Sequence, residues 1–148
     1  MTKKWDILGV GNSTLDEMLF LEKYPPPDTR ALVQKHERHG GGMTATALVA
    51  AARLGLKVGY GGLLGGDDTA KWIQADLMRE GVDISPAIIH EDAFGMHAFI
   101  MVDAEAHTRT ILLHWDQTPV EVEDLPDADT VRDAHILLID DIITDSTL

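Results

Sequence analysis

The sequence predicts an α/β fold, with a body of parallel strands flanked by helices and a small all-β appendage. Three observations carry this reading. Short apolar runs such as Trp5–Val10 and His135–Asp140 alternate with helical segments, the pattern of strand–helix–strand units. Three consecutive glycines, Gly40, Gly41 and Gly42, lead straight into an alanine-rich helix that stops at Gly55. The stretch Thr29–Arg38 alternates in direction without a strongly apolar face, which suits a small sheet standing off the main body.

Each element follows from local chemistry. Trp5–Val10 reads as a buried strand, and Leu19–Leu21 as a second. The three prolines of Tyr24-Pro25-Pro26-Pro27-Asp28 remove three backbone donors and mark a turn. A first helix is expected from about Met43 to Leu54, with Ala45, Leu48, Val49, Ala52 and Leu54 as its apolar stripe. Lys57–Leu64 is a glycine-rich strand. A second helix starts after Asp67-Asp68-Thr69, any of which can cap it, carries Trp72, Ile73 and Leu77 inward, and ends at Gly81. Gly95–Val102 and Arg109–Trp115 are further strands, Pro126–Ala134 holds a short helix, and His135–Asp140 is the last strand. Met43, Met78, Met96 and Met101 are read as core fillers.

Bulk properties narrow the function. The chain has 148 residues, 45% of them apolar, enough for one domain with a core. There is no cysteine, hence no disulfide framework and no thiolate metal site. The net charge of −13 argues against nucleic-acid binding, which needs clustered Lys and Arg. The start, Met1-Thr2-Lys3-Lys4-Trp5-Asp6, lacks the apolar run of a signal peptide, and no stretch is apolar enough to span a membrane, so a cytoplasmic protein is expected. The acidic region after residue 115 reads as a solvated face or a partner-binding surface.

The chemistry-bearing residues gather around the glycines. Glycine lets backbone approach a ligand closely, and a helix start offers free N–H groups, an arrangement suited to a phosphate or a polyhydroxylated molecule. Three glycines exceed what a flexible turn needs, although that plainer reading stands beside the first. Asp16 follows the first strand, on the side where parallel sheets place ligands. A carboxylate there can accept hydrogen bonds from two hydroxyls, or it can be a surface or capping residue. Thr46 can offer its hydroxyl to a substrate or bond back to its own helix. Gly9-x-Gly11-x-x-Thr14 lacks the third glycine and the downstream acidic strand end of a dinucleotide fingerprint, and no Gly-Lys-Ser/Thr phosphate loop is present. The seven histidines form no helical His-x-x-x-His pair or metal cluster.

Ile7–Gly11 with Asp16, the Gly40–Gly55 segment, Gly65-Gly66-Asp67-Asp68, Leu77–Asp83 and Ala98–Asp103 come in the order and spacing of one family. In these stretches, which span nearly the whole chain, the sequence resembles the N-terminal half of ribokinase-like (PfkB) carbohydrate kinases. The resemblance implies a ribokinase-like Rossmann-type sandwich, with a partial central sheet, flanking helices and a small β lid at about residues 18–39. It implies that residues 1–148 are the N-terminal part of a kinase domain whose C-terminal, ATP-binding half is absent.

The same resemblance implies sugar binding by Thr14, Asp16, Gly40, Gly41, Gly42, Thr46 and Asp141, with no catalytic residue in this chain. Thr46 stands where the family often has Asn. The Gly65–Asp68 tetrad corresponds to the family's structural Gly-Asp element rather than to its catalytic motif. ATP and Mg2+ are implied for the intact enzyme and none is held by this chain alone. The expected partner is a small sugar, with self-association through lid strands or an exposed edge. A last strand without a covering helix reads as a truncation. Two alternatives stand: a non-catalytic sugar-binding or self-association module, and a nucleoside kinase of the same fold.

Overall fold

The protein's structure, a computed structural model, describes residues 3–114 and 122–140. Its centre is strand β1 (Trp5–Val10), flanked in parallel by β4 (Val58–Tyr60) and β9 (Ala134–Ile139). Leu8 lies opposite Gly59 on one side and Leu137 on the other. Trp5, Leu8 and Val10 are buried, as a short apolar run in a parallel sheet requires. Helix α1 (Met43–Arg53) packs against β1. The contact is so close that a Cβ on Gly9 would meet Leu48 Cδ1 and Thr44 Cγ2 at 2.7 Å.

The core joins Leu48 and Ala45 of α1 to Val58, Tyr60, Leu64, Ile73, Leu77 and Val82. Full burial of a side chain such as Leu48 contributes about 1.5–3 kcal/mol. The predicted stripe of α1 changes at its ends. Leu54 is 83% exposed because the helix has already stopped at Arg53, while Thr44 is buried in the first turn. Met43 and Met78 are also exposed rather than core-forming, since both lie on the outer faces of their helices.

A second sheet stands beside this body, with strand order β3-β2-β7-β8. Strand β2 (Thr14–Leu21) pairs antiparallel with β3 (Val33–Gly41) and parallel with β7 (Met96–Asp103), which turns back into β8 (Thr108–His114). This sheet is larger than the appendage expected at 18–39. Strand β2 begins four residues earlier, β3 runs on through Gly41, and the 96–114 hairpin belongs to the same sheet. Strand periodicity tells which residues alternate, not which sheet they join, because pairing is non-local.

The expected strand Lys57–Leu64 is two strands, because Gly61-Gly62 interrupts it. Strand β5 (Leu63–Gly65) leaves β4 and pairs with β6 (Ile88–His90), a three-residue strand that the sequence did not predict. Helix α2 (Asp68–Arg79) is capped by Asp67, whose carboxylate accepts from Ala70 N and from Gly95 N, both at 2.8 Å. The capping reading of the Gly65–Asp68 tetrad is therefore what the structure shows. Helix α3 (Ala128–Arg132) follows its own Asp127 cap and leads into β9.

Candidate functional site

The carboxyl ends of β1 and β9 converge on the start of α1. There Asp140 gathers four donors: Asn12 N at 2.8 Å, Asn12 Nδ2 at 3.3 Å, Thr44 Oγ1 at 2.9 Å and Thr44 N at 3.3 Å. A carboxylate is favoured here because the first turn of a helix leaves N–H groups unsatisfied and carries partial positive charge. Gly11 makes the approach possible, since a Cβ on it would overlap the Asp140 carboxylate and Thr44 Oγ1. Below it, the buried Tyr60 hydroxyl donates to Gly11 O at 2.6 Å and lies 3.1 Å from Ser13 Oγ. Burial pushes the Tyr60 phenol well above its ordinary pKa, so it stays a donor. Asp141, the predicted acidic residue of this region, lies outside the described residues. Its predecessor Asp140, which sequence reasoning did not single out, is the acidic group seen at the strand end.

Asp16 sits on β2, with Asp16 opposite His39 of β3 and Ala98 of β7. Thr14, two residues earlier on the same face, donates its hydroxyl to Asp16 Oδ1 at 2.6 Å. Gly41 lies directly opposite Thr14. A Cβ on Gly41 would overlap both Asp16 Oδ2 and Thr14 Oγ1. The structure thus brings Asp16, Thr14 and Gly41 together at the edge of the helix α1 start.

The three glycines, one motif in the sequence, have three separate reasons. Gly41 leaves room for Asp16. Gly40 faces the other way, where a Cβ would overlap Asp76 Oδ2 of α2. Gly42 is the N-cap of α1, with φ of 91° and Asn12 O only 2.5 Å from where a Cβ would stand. That conformation and that proximity both require glycine.

A cleft of about 320 Å3 runs from Ser13, Thr14 and Gly41 past Thr46 and into the groove between α1 and α2. Thr46 is exposed on α1 and lines it, so the expected contact with a ligand is sterically open. Asp16 does not line this cleft; it lies beyond Thr14 on the sheet. Arg53 and Arg79 meet Glu80 at the far end, at 2.7 and 3.1 Å. On the reverse face of β2 from Asp16, the buried Glu17 takes Arg38 Nε at 2.6 Å and Arg38 Nη2 at 2.5 Å. Sequence reasoning did not single out Glu17, because alternation alone does not say that both faces of β2 are covered.

The central parallel sheet, its helices and the adjoining mixed sheet form a ribokinase-type kinase fold. The chain superposes on Arabidopsis thaliana ribokinase, solved with ribose and ATP, with a TM-score of 0.78 at 22% identity, covering 94% of this chain and 45% of that one. It superposes on ribokinase from Thermotoga maritima with a TM-score of 0.74 at 22% identity, covering 90% and 44%.

The chain belongs to the pfkB family of carbohydrate kinases, whose family model matches residues 7–147. It is 32% identical over 133 residues to ribokinase from Staphylococcus aureus, covering 86% of this chain and 43% of that protein. It is 26% identical over 135 residues to a nucleoside kinase from Methanothermobacter thermautotrophicus, covering 91% and 43%. The chain therefore spans less than half the length of these relatives.

Proposed function

We propose that this chain is the sugar-binding portion of an ATP-dependent carbohydrate kinase, in which a phosphoryl group passes from ATP to a sugar hydroxyl. The observation that carries this reading is the Asp16 carboxylate, oriented by Thr14 and given space by Gly41. An ionised carboxylate has about four acceptor positions, and Thr14 uses one of them. The others suit adjacent hydroxyls of a sugar, through charge-assisted bonds that fix its orientation. Gly41 lets Asp16 and Thr14 sit close over the β3 backbone, while the exposed Thr46 offers a further polar contact.

ATP as donor and magnesium as its counter-ion belong to this reading. Among the described residues no three His, Asp or Glu side chains converge as a metal site would need. The role of these residues is to bind and orient the sugar. Among the described residues no helix is long and apolar enough to cross a membrane, which is compatible with a cytoplasmic setting. Self-association is also part of the reading, because Ile111, Leu112 and Leu113 of β8 are exposed. Light scattering at several concentrations tests it.

A nucleoside substrate is the second reading. Leu113 lies in register with Asp16 through Ala98, and Ile111 with Met18 through Ile100, so apolar surface shares the Asp16 face and can cover a base. Calorimetric titration of the chain with D-ribose, D-fructose and adenosine separates the two. Saturable sugar binding that Asp16→Asn abolishes supports the sugar reading, and adenosine binding alone supports the second. Binding of none of them, or binding indifferent to Asp16→Asn, overturns the assignment of this site. ADP release across the same panel reports whether the chain by itself supports turnover.

A further inference from the structure

We infer that Glu17 is the positioning residue of this site: its two carboxylate oxygens clamp the strands on either side of β2 and so set where Asp16 and Gly41 stand. The inference rests on the reading of Asp16 as the sugar ligand.

Glu17 follows Asp16 and points to the opposite face of β2. Its side chain is 12% exposed. One oxygen, Oε1, takes both arms of the Arg38 guanidinium, Nε at 2.6 Å and Nη2 at 2.5 Å, with His36 Nε2 at 3.9 Å. Both of those residues belong to β3. The other oxygen, Oε2, faces His97 Nε2 of β7 at 3.7 Å. His97 stacks on Phe99 with ring centroids 4.1 Å apart, and its Nε2 is buried without a hydrogen-bond partner among the described residues. Glu17 Oε2 is the carboxylate oxygen that faces this nitrogen. One carboxylate thus reaches both neighbours of the central strand at the level of the site.

The geometric consequence falls on the other face. Asp16 stands between His39 of β3 and Ala98 of β7, the chain neighbours of Arg38, which Glu17 binds, and of His97, which Glu17 faces. Gly41 is three residues along β3 from Arg38. The space between Asp16 and Gly41 allows no added Cβ, so a small shift of β3 against β2 changes it. A buried carboxylate gripped by a guanidinium is strong when complete and costly when one partner is removed, which makes the clamp stiff. Glu17 lies on the opposite face of β2 from Asp16 and outside the cleft lining, and acts only through the strands.

The experiment combines sugar affinity, stability and a local spectroscopic signal on the 148-residue chain. Glu17→Gln, Arg38→Lys and Asp16→Asn are titrated with D-ribose and D-fructose, unfolded in urea, and examined by NMR at the Asp16 carboxyl carbon and the Gly41 amide. Glu17→Gln is expected to shift both resonances, leave those of β1 and β9 in place, and weaken sugar binding by about tenfold while the chain is fully folded. Arg38→Lys keeps the charge but loses the fork, so it falls between Glu17→Gln and wild type. A lower unfolding midpoint with unchanged affinity and unchanged Asp16 and Gly41 signals overturns the inference and leaves Glu17 a stabilising residue only. Loss of binding in Asp16→Asn together with a silent Glu17→Gln sinks the clamp but keeps the site. Where wild type binds neither sugar, the site reading fails, and the NMR shifts still decide whether Glu17 controls the Asp16–Gly41 geometry.

Discussion

Asp16 accepts a 2.6 Å hydrogen bond from Thr14, and the two side chains share the space above Gly41. Both come from one strand face, two residues apart, so their spacing is set by the β2 backbone rather than by a flexible loop. Removing the hydroxyl and removing the charge are therefore separable. Thr14→Val is expected to leave the carboxylate in place but less well oriented, and to weaken sugar binding by a few-fold. Asp16→Asn removes the charge-assisted bonds, worth about 1.5–3 kcal/mol, and weakens it by about 10- to 100-fold. Calorimetry on the two variants checks the order, and an equal effect would mean that orientation, not charge, governs binding.

The three glycines are expected to respond differently to alanine. Gly41→Ala displaces the Asp16 carboxylate and lowers sugar affinity with little change in unfolding. Gly40→Ala presses on the movable end of Asp76, which lines the cleft together with Gly40, and stability stays within about 1 kcal/mol of wild type. Gly42→Ala places a side chain at φ of 91° against backbone, and costs about 1–3 kcal/mol of stability. Urea unfolding and sugar titration of the three variants, measured together, test this split.

Asp140 joins the first strand, the last strand and the start of α1 through Asn12 N and both donors of Thr44. Asp140→Ala leaves these donors without their acceptor and is expected to cost about 1–3 kcal/mol. Asp140→Asn keeps one acceptor oxygen and should cost less. A stability for Asp140→Ala equal to wild type would show that water replaces the carboxylate at no cost.

Acid should loosen the mixed sheet through Asp103. Its carboxylate accepts from Ala106 N at 2.7 Å and Tyr24 N at 2.8 Å, tying the turn after β7 to the proline loop. These bonds, Ala106 first, hold its pKa below the ordinary 3.8. A depressed folded-state pKa stabilises above the unfolded value, and the contribution is lost as pH falls through the folded value. Stability is expected to fall as the pH drops below about 4, and Asp103→Asn should flatten that part of the profile. Urea midpoints across this range, compared between wild type and Asp103→Asn, give the answer; parallel profiles would refute the assignment.

Local chemistry in the sequence determined a good deal. The α/β class, the cap at Asp67, the stop at Gly55, helices α1 and α2, and the first and last strands all follow from runs of a few residues. The nearness of Asp16 to the glycine run was expected from the carboxyl end of the first strand, but it is made by the antiparallel pairing of β2 with β3. The motifs spanning Ile7 to Asp103 carried the family as well, since a set of weak signals in fixed order is specific where each alone is not.

Tertiary structure alone decided the rest, because it depends on partners far apart in the chain. The hairpin 96–114 joins the sheet of β2 and β3 only through pairing across some eighty residues, and no periodicity encodes which edge it will meet. Gly40 and Gly41 are identical in sequence but face opposite ways once β3 pairs with β2, one toward Asp76 and the other toward Asp16. Glu17 becomes a buried clamp, and Asp140 reaches the α1 start, for the same reason. A side chain's role at these positions is fixed by what the other strands and helices bring to it, and local sequence holds no record of that.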